Sequence, residues 1–220
     1  FSKRLLLQHC RNQKKSSIEY DNPCLTKAVA TKAKKIEQVH LSLGLSGVEL
    51  GNEDLYTLLV INNVFGGSTS SNLFQRIREE RGMAYSIYSY PSSYKNVGIF
   101  SIYVGLNPKY IKDVIGLIRE EIEKIKINGI TEEQLHKSKE QLKGSYMLGL
   151  ESMSSRMFSM GKSELMLQKI YEPSEILDRI DKINIDDVNK LIPNIFGRGI
   201  VSAAAVGKLN KRIDVEKLLF

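Results

Sequence analysis

Apolar and polar residues alternate along several short stretches of the chain. The clearest case is residues 37–46, where the apolar residues from Val39 to Leu45 occupy every second position. A period of two predicts a half-buried β-strand, with His40 on its polar face. The same reasoning predicts strands over 84–90, 97–106 and 199–207. Residues 91–96 are predicted to form the turn between two of these strands, so we expect the strands on either side of it to pair antiparallel.

Elsewhere the apolar spacing changes to about 3.6 residues, which is typical of helices with one buried face. The longest helix opens at Asn107-Pro108 and runs to about Ile127, and Thr131 with Gln134 has the form of a capping box that opens another. Further helices are predicted over 55–65 and from about residues 72, 151, 173 and 183. Strands that flank a run of helices indicate an α+β fold. We expect an antiparallel or mixed sheet with helices packed on one face.

Small residues cluster between two of these helices. Gly66 and Gly67 are followed by four hydroxyl side chains from Ser68 to Ser71, which predicts a loop that ends in a helix N-cap near Asn72. A phosphate-binding loop would need a preceding strand and a lysine before the last hydroxyl, and this stretch has neither. Nucleotide binding is therefore rejected here.

Arg78 and Tyr85 stand on either side of Gly82, where the helical pattern changes to a strand pattern. A guanidinium and a phenol at such a junction can both donate hydrogen bonds to a carbonyl oxygen or an oxyanion. Spacing alone favours the simpler interpretation, in which Arg78 is a surface residue and Tyr85 a half-buried strand residue.

The whole stretch FGGSTSSNLFQRIREERGMAYSIYSYPSSY resembles the C-terminal domain of pitrilysin-type zinc metallopeptidases, in their processing-peptidase-like branch. The resemblance runs from about Glu37 to Gly207. It implies one half of a two-domain peptidase chamber, with Arg78 and Tyr85 as the catalytic residues that contact the substrate. It also implies that a mobile Gly66-Gly67-Ser68 loop lines the chamber.

The zinc site of such peptidases is absent from this sequence. Its three histidines are His9, His40 and His136, and none belongs to an H-x-x-E-H motif. We expect no metal bound by this chain, and zinc supplied by an N-terminal half or a partner subunit. The leading hypothesis is the substrate-binding half of an endopeptidase that cleaves peptides or presequences. The alternative is a non-catalytic homologue with a structural or recognition role.

The formal charge of +7 is concentrated at the start of the chain, where residues 1–36 carry nine Lys or Arg against two acids. We interpret this segment as a basic linker or arm and residues 37–220 as the peptidase-like domain. Binding of nucleic acid by the arm is the less favoured reading. A first residue Phe1 indicates a fragment or a processed product.

Cys10 and Cys24 lack the spacing of a zinc or disulfide motif, which favours a reducing cytoplasm. No membrane span or signal peptide is predicted. A homodimer is left open. The residue set Met147, Met153, Met157, Met160 and Met166 has near-helical spacing and is expected to fill gaps in the core. His40 and His136 are expected to be solvated surface residues.

Overall fold

The computed structural model describes residues 23, 25–209 and 215–219. Five strands form one sheet in the order β1-β5-β2-β4-β3. The strands are β1 (Ala28–Ala33), β2 (Val39–Ser46), β3 (Ala84–Ser93), β4 (Gly98–Leu106) and β5 (Ser202–Gly207). Only β1 and β5 pair in parallel, whereas the other neighbours are antiparallel. The sheet is therefore mixed, as expected.

Helices fill most of the remaining described chain. They are α1 (Leu55–Asn62), α2 (Ile111–Asn128), α3 (Glu132–Glu151), α4 (Met153–Leu167), α5 (Pro173–Asp181), α6 (Ile185–Phe196) and α7 (Val215–Leu219). Two π-helical segments follow α1, namely π1 (Asn63–Gly67) and π2 (Phe74–Glu79), and a 3₁₀ turn (Pro108–Tyr110) leads into α2. The predicted capping box opens α3, where the backbone amide of Gln134 donates to the Thr131 hydroxyl over 3.1 Å.

The core lies between the helices and one face of the sheet. Leu41 and Leu43 of β2 and Phe100 of β4 point to this face and are fully buried. Phe100 also contacts Phe65 and Phe196, with ring centroids 6.0 and 5.6 Å away, so the core joins β4 to π1 and α6. Burying such side chains contributes about 1.5–3 kcal/mol each. The helices on one face confirm the α+β fold class.

Three features differ from the sequence-based predictions. β1 is a strand that the alternation did not predict, and it lies inside the segment interpreted as the basic arm. Gly66 and Gly67 belong to π1 rather than to a loop. The five methionines from Met147 to Met166 are exposed, so the prediction that they fill the core is wrong. Residues 1–22 and 24 of the arm, which include His9, Cys10 and Cys24, lie outside the described residues.

Candidate functional site

The helix that carries Arg78 begins in a loop with many internal hydrogen bonds. The Ser71 hydroxyl donates to the Ser68 carbonyl over 2.6 Å, and the side-chain amide of Gln75 donates to the Thr69 carbonyl over 2.7 Å. The Ser68 hydroxyl in turn donates to the Asn63 carbonyl over 3.0 Å. These bonds attach the loop both to π1 before it and to π2 after it.

The glycine pair before this loop has a packing role that the sequence did not indicate. A Cβ on Gly66 would lie 2.5 Å from the Ser89 hydroxyl oxygen and 3.0 Å from the Ser89 backbone nitrogen. A Cβ on Gly67 would collide with the Asn62 side chain, which accepts a hydrogen bond from Ser89 over 2.7 Å. Glycine therefore allows π1 to approach β3 closely, and the loop itself begins at Ser68.

Gly82 reverses the chain between Arg78 and Tyr85. Its φ of +61° is left-handed, and its amide donates to the Arg78 carbonyl over 3.0 Å, the bond of an αL helix cap. The Arg78 guanidinium is exposed and lies over the Phe74 ring, 4.9 Å from its centroid. The turn thus leads from the end of π2 directly into β3, at whose start Tyr85 stands.

Tyr85 lies at a β-bulge on the outermost strand of the sheet. The register between β3 and β4 shifts between Ala84 and Ser86, so Tyr85 is the unmatched residue. A bulge turns a side chain out of the regular alternation and is common next to functional sites. Tyr85 is 57% exposed, and no hydrogen bond to its hydroxyl is present within the described part of the chain. Its hydroxyl is therefore available as a donor.

Arg76, two residues before Arg78, anchors π2 to α2. Its guanidinium forms ion pairs with Glu120 and Glu121, and the Glu121 side chain is only 5% exposed. Burial tends to lower the pKa of Arg76, but the hydrogen bonds to Glu121 and Glu120 outweigh it and raise that pKa. Lys124 contacts Glu121 as well, at 3.0 Å. This cluster of charges holds the helix that carries Arg78, and the sequence analysis did not identify it.

A row of aromatic side chains also escaped the sequence analysis. Tyr88 and Tyr90 of β3 lie on the sheet face opposite the core, and Tyr88 pairs with Tyr103 of β4, with ring centroids 4.9 Å apart. The Tyr103 hydroxyl contacts His40 Nδ1 at 2.6 Å, so His40 is hydrogen-bonded rather than simply solvated. The alternation of tyrosine and serine in β3 could have indicated the first two residues, but the pairing with Tyr103 depends on the register.

The described residues offer no metal site. They contain no group of three or more His, Cys, Asp or Glu side chains placed to hold a metal ion. His40 bonds to a tyrosine, and His136 is an exposed residue of α3, as predicted. Zinc ligation therefore does not fit the described residues. No helix among them is long and apolar enough to cross a membrane.

Comparison with protein families agrees with this architecture. A family model described as "Peptidase M16 inactive domain" matches residues 7–142. An uncharacterized zinc protease of Bacillus subtilis, YmxG, is 46% identical over 166 residues, which cover 76% of this chain and 41% of the relative. A second uncharacterized zinc protease, from Streptomyces coelicolor, is 36% identical over 179 residues, or 81% of this chain and 39% of the relative.

Solved structures share the fold. A conserved protein from Enterococcus faecalis superposes with a TM-score of 0.74 at 25% identity, covering 91% of this chain and 46% of that one. A peptidase M16 inactive domain from Pseudomonas fluorescens gives 0.74 at 17% identity and covers 86% and 45%. The fold and the matches thus define an inactive-type peptidase domain of zinc-protease-like chains. The chain belongs to the peptidase M16 family, which confirms the pitrilysin-type resemblance, and it spans less than half the length of these relatives.

Proposed function

We propose that this chain is the C-terminal, substrate-binding half of a zinc-dependent endopeptidase that acts on extended peptides or presequences in the cytoplasm. An N-terminal half or a partner subunit would supply the zinc and the general base. Family membership and the names of the relatives support the class of activity. The site in this half is proposed from the geometry of Arg78 and Tyr85.

The single observation that carries the proposal is the exposure of Arg78 and Tyr85 at one ordered turn. Both side chains extend from a junction held by the Gly82 cap and by the ion pairs of Arg76. Groups that serve only the fold are normally buried or paired, whereas donors for a substrate must stay accessible on a rigid support. The order of the junction and the exposure of its two donors fit that requirement.

Each residue has a distinct proposed task. The Tyr85 hydroxyl donates a hydrogen bond to the carbonyl oxygen of the scissile bond, and this bond strengthens as the oxygen gains negative charge. The Arg78 guanidinium donates to backbone carbonyls of the bound peptide in both the ground state and the transition state. Tyr85 therefore affects mainly turnover, whereas Arg78 affects peptide binding as well.

The Tyr85→Phe variant of the intact enzyme tests the proposal. The change removes one hydroxyl and keeps the ring, so the protein should fold normally. We expect kcat to fall by about a hundredfold or more with a nearly unchanged KM, as for the loss of one oxyanion donor in other hydrolases. Tyr94→Phe is a matched control, because Tyr94 is 60% exposed but lies just beyond the far end of β3. Near-normal turnover in Tyr85→Phe would contradict the proposed role, whereas an intact protein without peptidase activity would favour the non-catalytic alternative.

A further inference from the structure

Helix α4 leaves most of its large apolar side chains exposed. None of its 15 residues is buried. Ser159, Ser163 and Leu167 line a cavity of about 210 Å³ between α4 and the helices beneath it, and Met160 lines a second cavity of about 140 Å³ there. The larger apolar side chains on the other side of the helix face outward, including Phe158 at 71% and Leu165 at 83% exposure. A helix that belonged only to this domain would place these side chains against the core.

The outward side chains form one continuous surface. Met153, Met157, Gly161 and Leu165 follow one another at intervals of four residues, and Phe158 stands beside them; we call this set the α4 outer face. Residues four apart lie on one side of a helix, so the set forms a ridge about three turns long. The exposed Leu148 at the end of α3 adds to the apolar area nearby.

Gly161 interrupts the ridge where no described neighbour requires it. A Cβ built at this position meets nothing within 4 Å. Glycine inside a helix costs up to about 1 kcal/mol relative to alanine, so the residue weakens a helix that already lacks a buried face. A second backbone that crosses α4 at this point would gain close approach from the missing side chain.

Charge is sparse on the ridge, which favours a lasting contact over a passing one. The five residues of the α4 outer face carry no charge, Glu164 lies between Met153 and Met157 around the helix, and Lys162 stands beside Phe158. Depletion of charge in the centre of an apolar surface is typical of obligate interfaces. A helix of this length also depends on tertiary packing for its stability, so a lasting cover over this face would stabilise α4 further.

The matched relatives indicate what provides that cover. Each of them extends beyond the matched region by more than the length of that region, since only 39–46% of each is covered. We propose that the α4 outer face is the docking surface for the companion half of the peptidase, the half that would hold the zinc. This inference rests on the proposed function for the existence of that half, and adds where it binds.

Methionine oxidation measures the cover directly. The 220-residue chain, alone and together with its companion half, is treated with dilute hydrogen peroxide, and the oxidation rate of each methionine is followed by mass spectrometry against an added methionine peptide. We expect Met153 and Met157 to react rapidly in the chain alone and at least tenfold more slowly with the companion half. Equal rates in the two samples would overturn the proposal.

The same measurement separates other occupants of this surface. Protection in the isolated chain that increases with its concentration would show that a second copy covers α4. Protection only on addition of an unfolded apolar peptide would make the surface a substrate site. Either result would overturn the assignment to the companion half.

A pair of variants tests the surface by association. Phe158→Glu places a charge on the α4 outer face, and we expect it to raise the Kd for the companion half at least tenfold in sedimentation experiments without peptide. Ile127→Glu is the control, because Ile127 is 79% exposed on a different helix, α2. Equal affinities for the two variants would contradict the proposal. Tyr85→Phe should leave this Kd unchanged, so a failure of the catalytic role remains distinguishable from a failure of docking.

Discussion

Arg78 and Tyr85 show how much a single residue's role depends on its immediate support. Each is an ordinary exposed side chain when considered alone. What distinguishes them is that Gly82 caps the helix before Tyr85 through the Arg78 carbonyl, which orders the backbone at both positions. Removing either side chain should therefore change chemistry or binding and leave folding nearly unaffected.

The Arg78→Ala variant of the intact enzyme should raise KM for peptides and also lower kcat, because the guanidinium is proposed to contact the peptide before and during the reaction. Arg78→Lys should restore little of the loss, since an ammonium cannot reproduce the planar arrangement of donors. Steady-state kinetics measures both parameters. A thermal melt provides the control, and a loss of activity that followed a lowered Tm would assign Arg78 to the fold instead.

Gly66→Ala should destabilise the protein because its methyl group would lie against Ser89 of β3. We expect a loss of about 1–3 kcal/mol in the free energy of unfolding, typical of an overpacked site. Denaturant titration of the chain measures it. Gly144→Ala is the matched control: a Cβ at Gly144 meets nothing within 4 Å, so alanine should be neutral or stabilise helix α3 by up to about 1 kcal/mol. Equal effects at the two positions would refute the packing role of Gly66.

At the scale of elements, the short segment π2 depends on α2 for its position. Arg76 crosses from π2 to Glu120 and Glu121 of α2, which lie more than forty residues later in the sequence. The π-helical backbone has a wider turn than an α-helix and often occurs at functional sites. Its ion pairs therefore link the site's geometry to the body of the domain.

Arg76→Leu should lower the free energy of unfolding by about 3 kcal/mol, because it leaves the buried Glu121 carboxylate with Lys124 as its only remaining cationic contact among the described residues. Chemical denaturation tests this. Glu120→Gln removes the exposed member of the same cluster, at 59% exposure, and should cost less than about 1 kcal/mol. A similar loss in both variants would show that burial of Glu121 is not the deciding factor.

At the scale of the whole molecule, the domain is proposed to depend on a companion half for its chemistry. The 220-residue chain purified alone should be folded, hydrolyse no peptide and hold no stoichiometric zinc, since the described residues present no ligand group. Metal analysis after gel filtration and a peptide cleavage assay test this. One tightly held zinc per chain, or cleavage abolished by a chelator, would contradict the hypothesis that another half or subunit supplies the zinc.

The docking surface on α4 belongs to the same scale. If the companion half covers Met153, Met157 and Phe158, the isolated chain exposes an apolar surface that the intact protein buries. Such exposure predicts that the isolated chain aggregates more readily on heating than the intact protein does. The proposed contact outside this domain would account for the exposed apolar side chains of α4.

Much of the architecture could be predicted from the sequence alone. The alternation in β2 and the capping box at Thr131 depend on local rules, and both agree with the structure. The resemblance around Arg78 and Tyr85 identified the family. These features are local because the periods of strands and helices and the hydrogen bonds of caps connect residues only a few positions apart.

Tertiary structure decided the features that depend on distant partners. β1 is exposed along almost its whole length and its sequence lacks a regular alternation of apolar and polar residues, so its pairing with β5 is what makes it a strand. Gly66 was predicted to be a loop residue because its packing partner, Ser89, lies in another element, β3. The methionines of α4 have the spacing of a core helix, but spacing alone indicates a shared face and not which way that face points. The direction in which a helix face points depends on what the helix packs against. For α4, this is decided by the tertiary packing and not by the spacing of its residues.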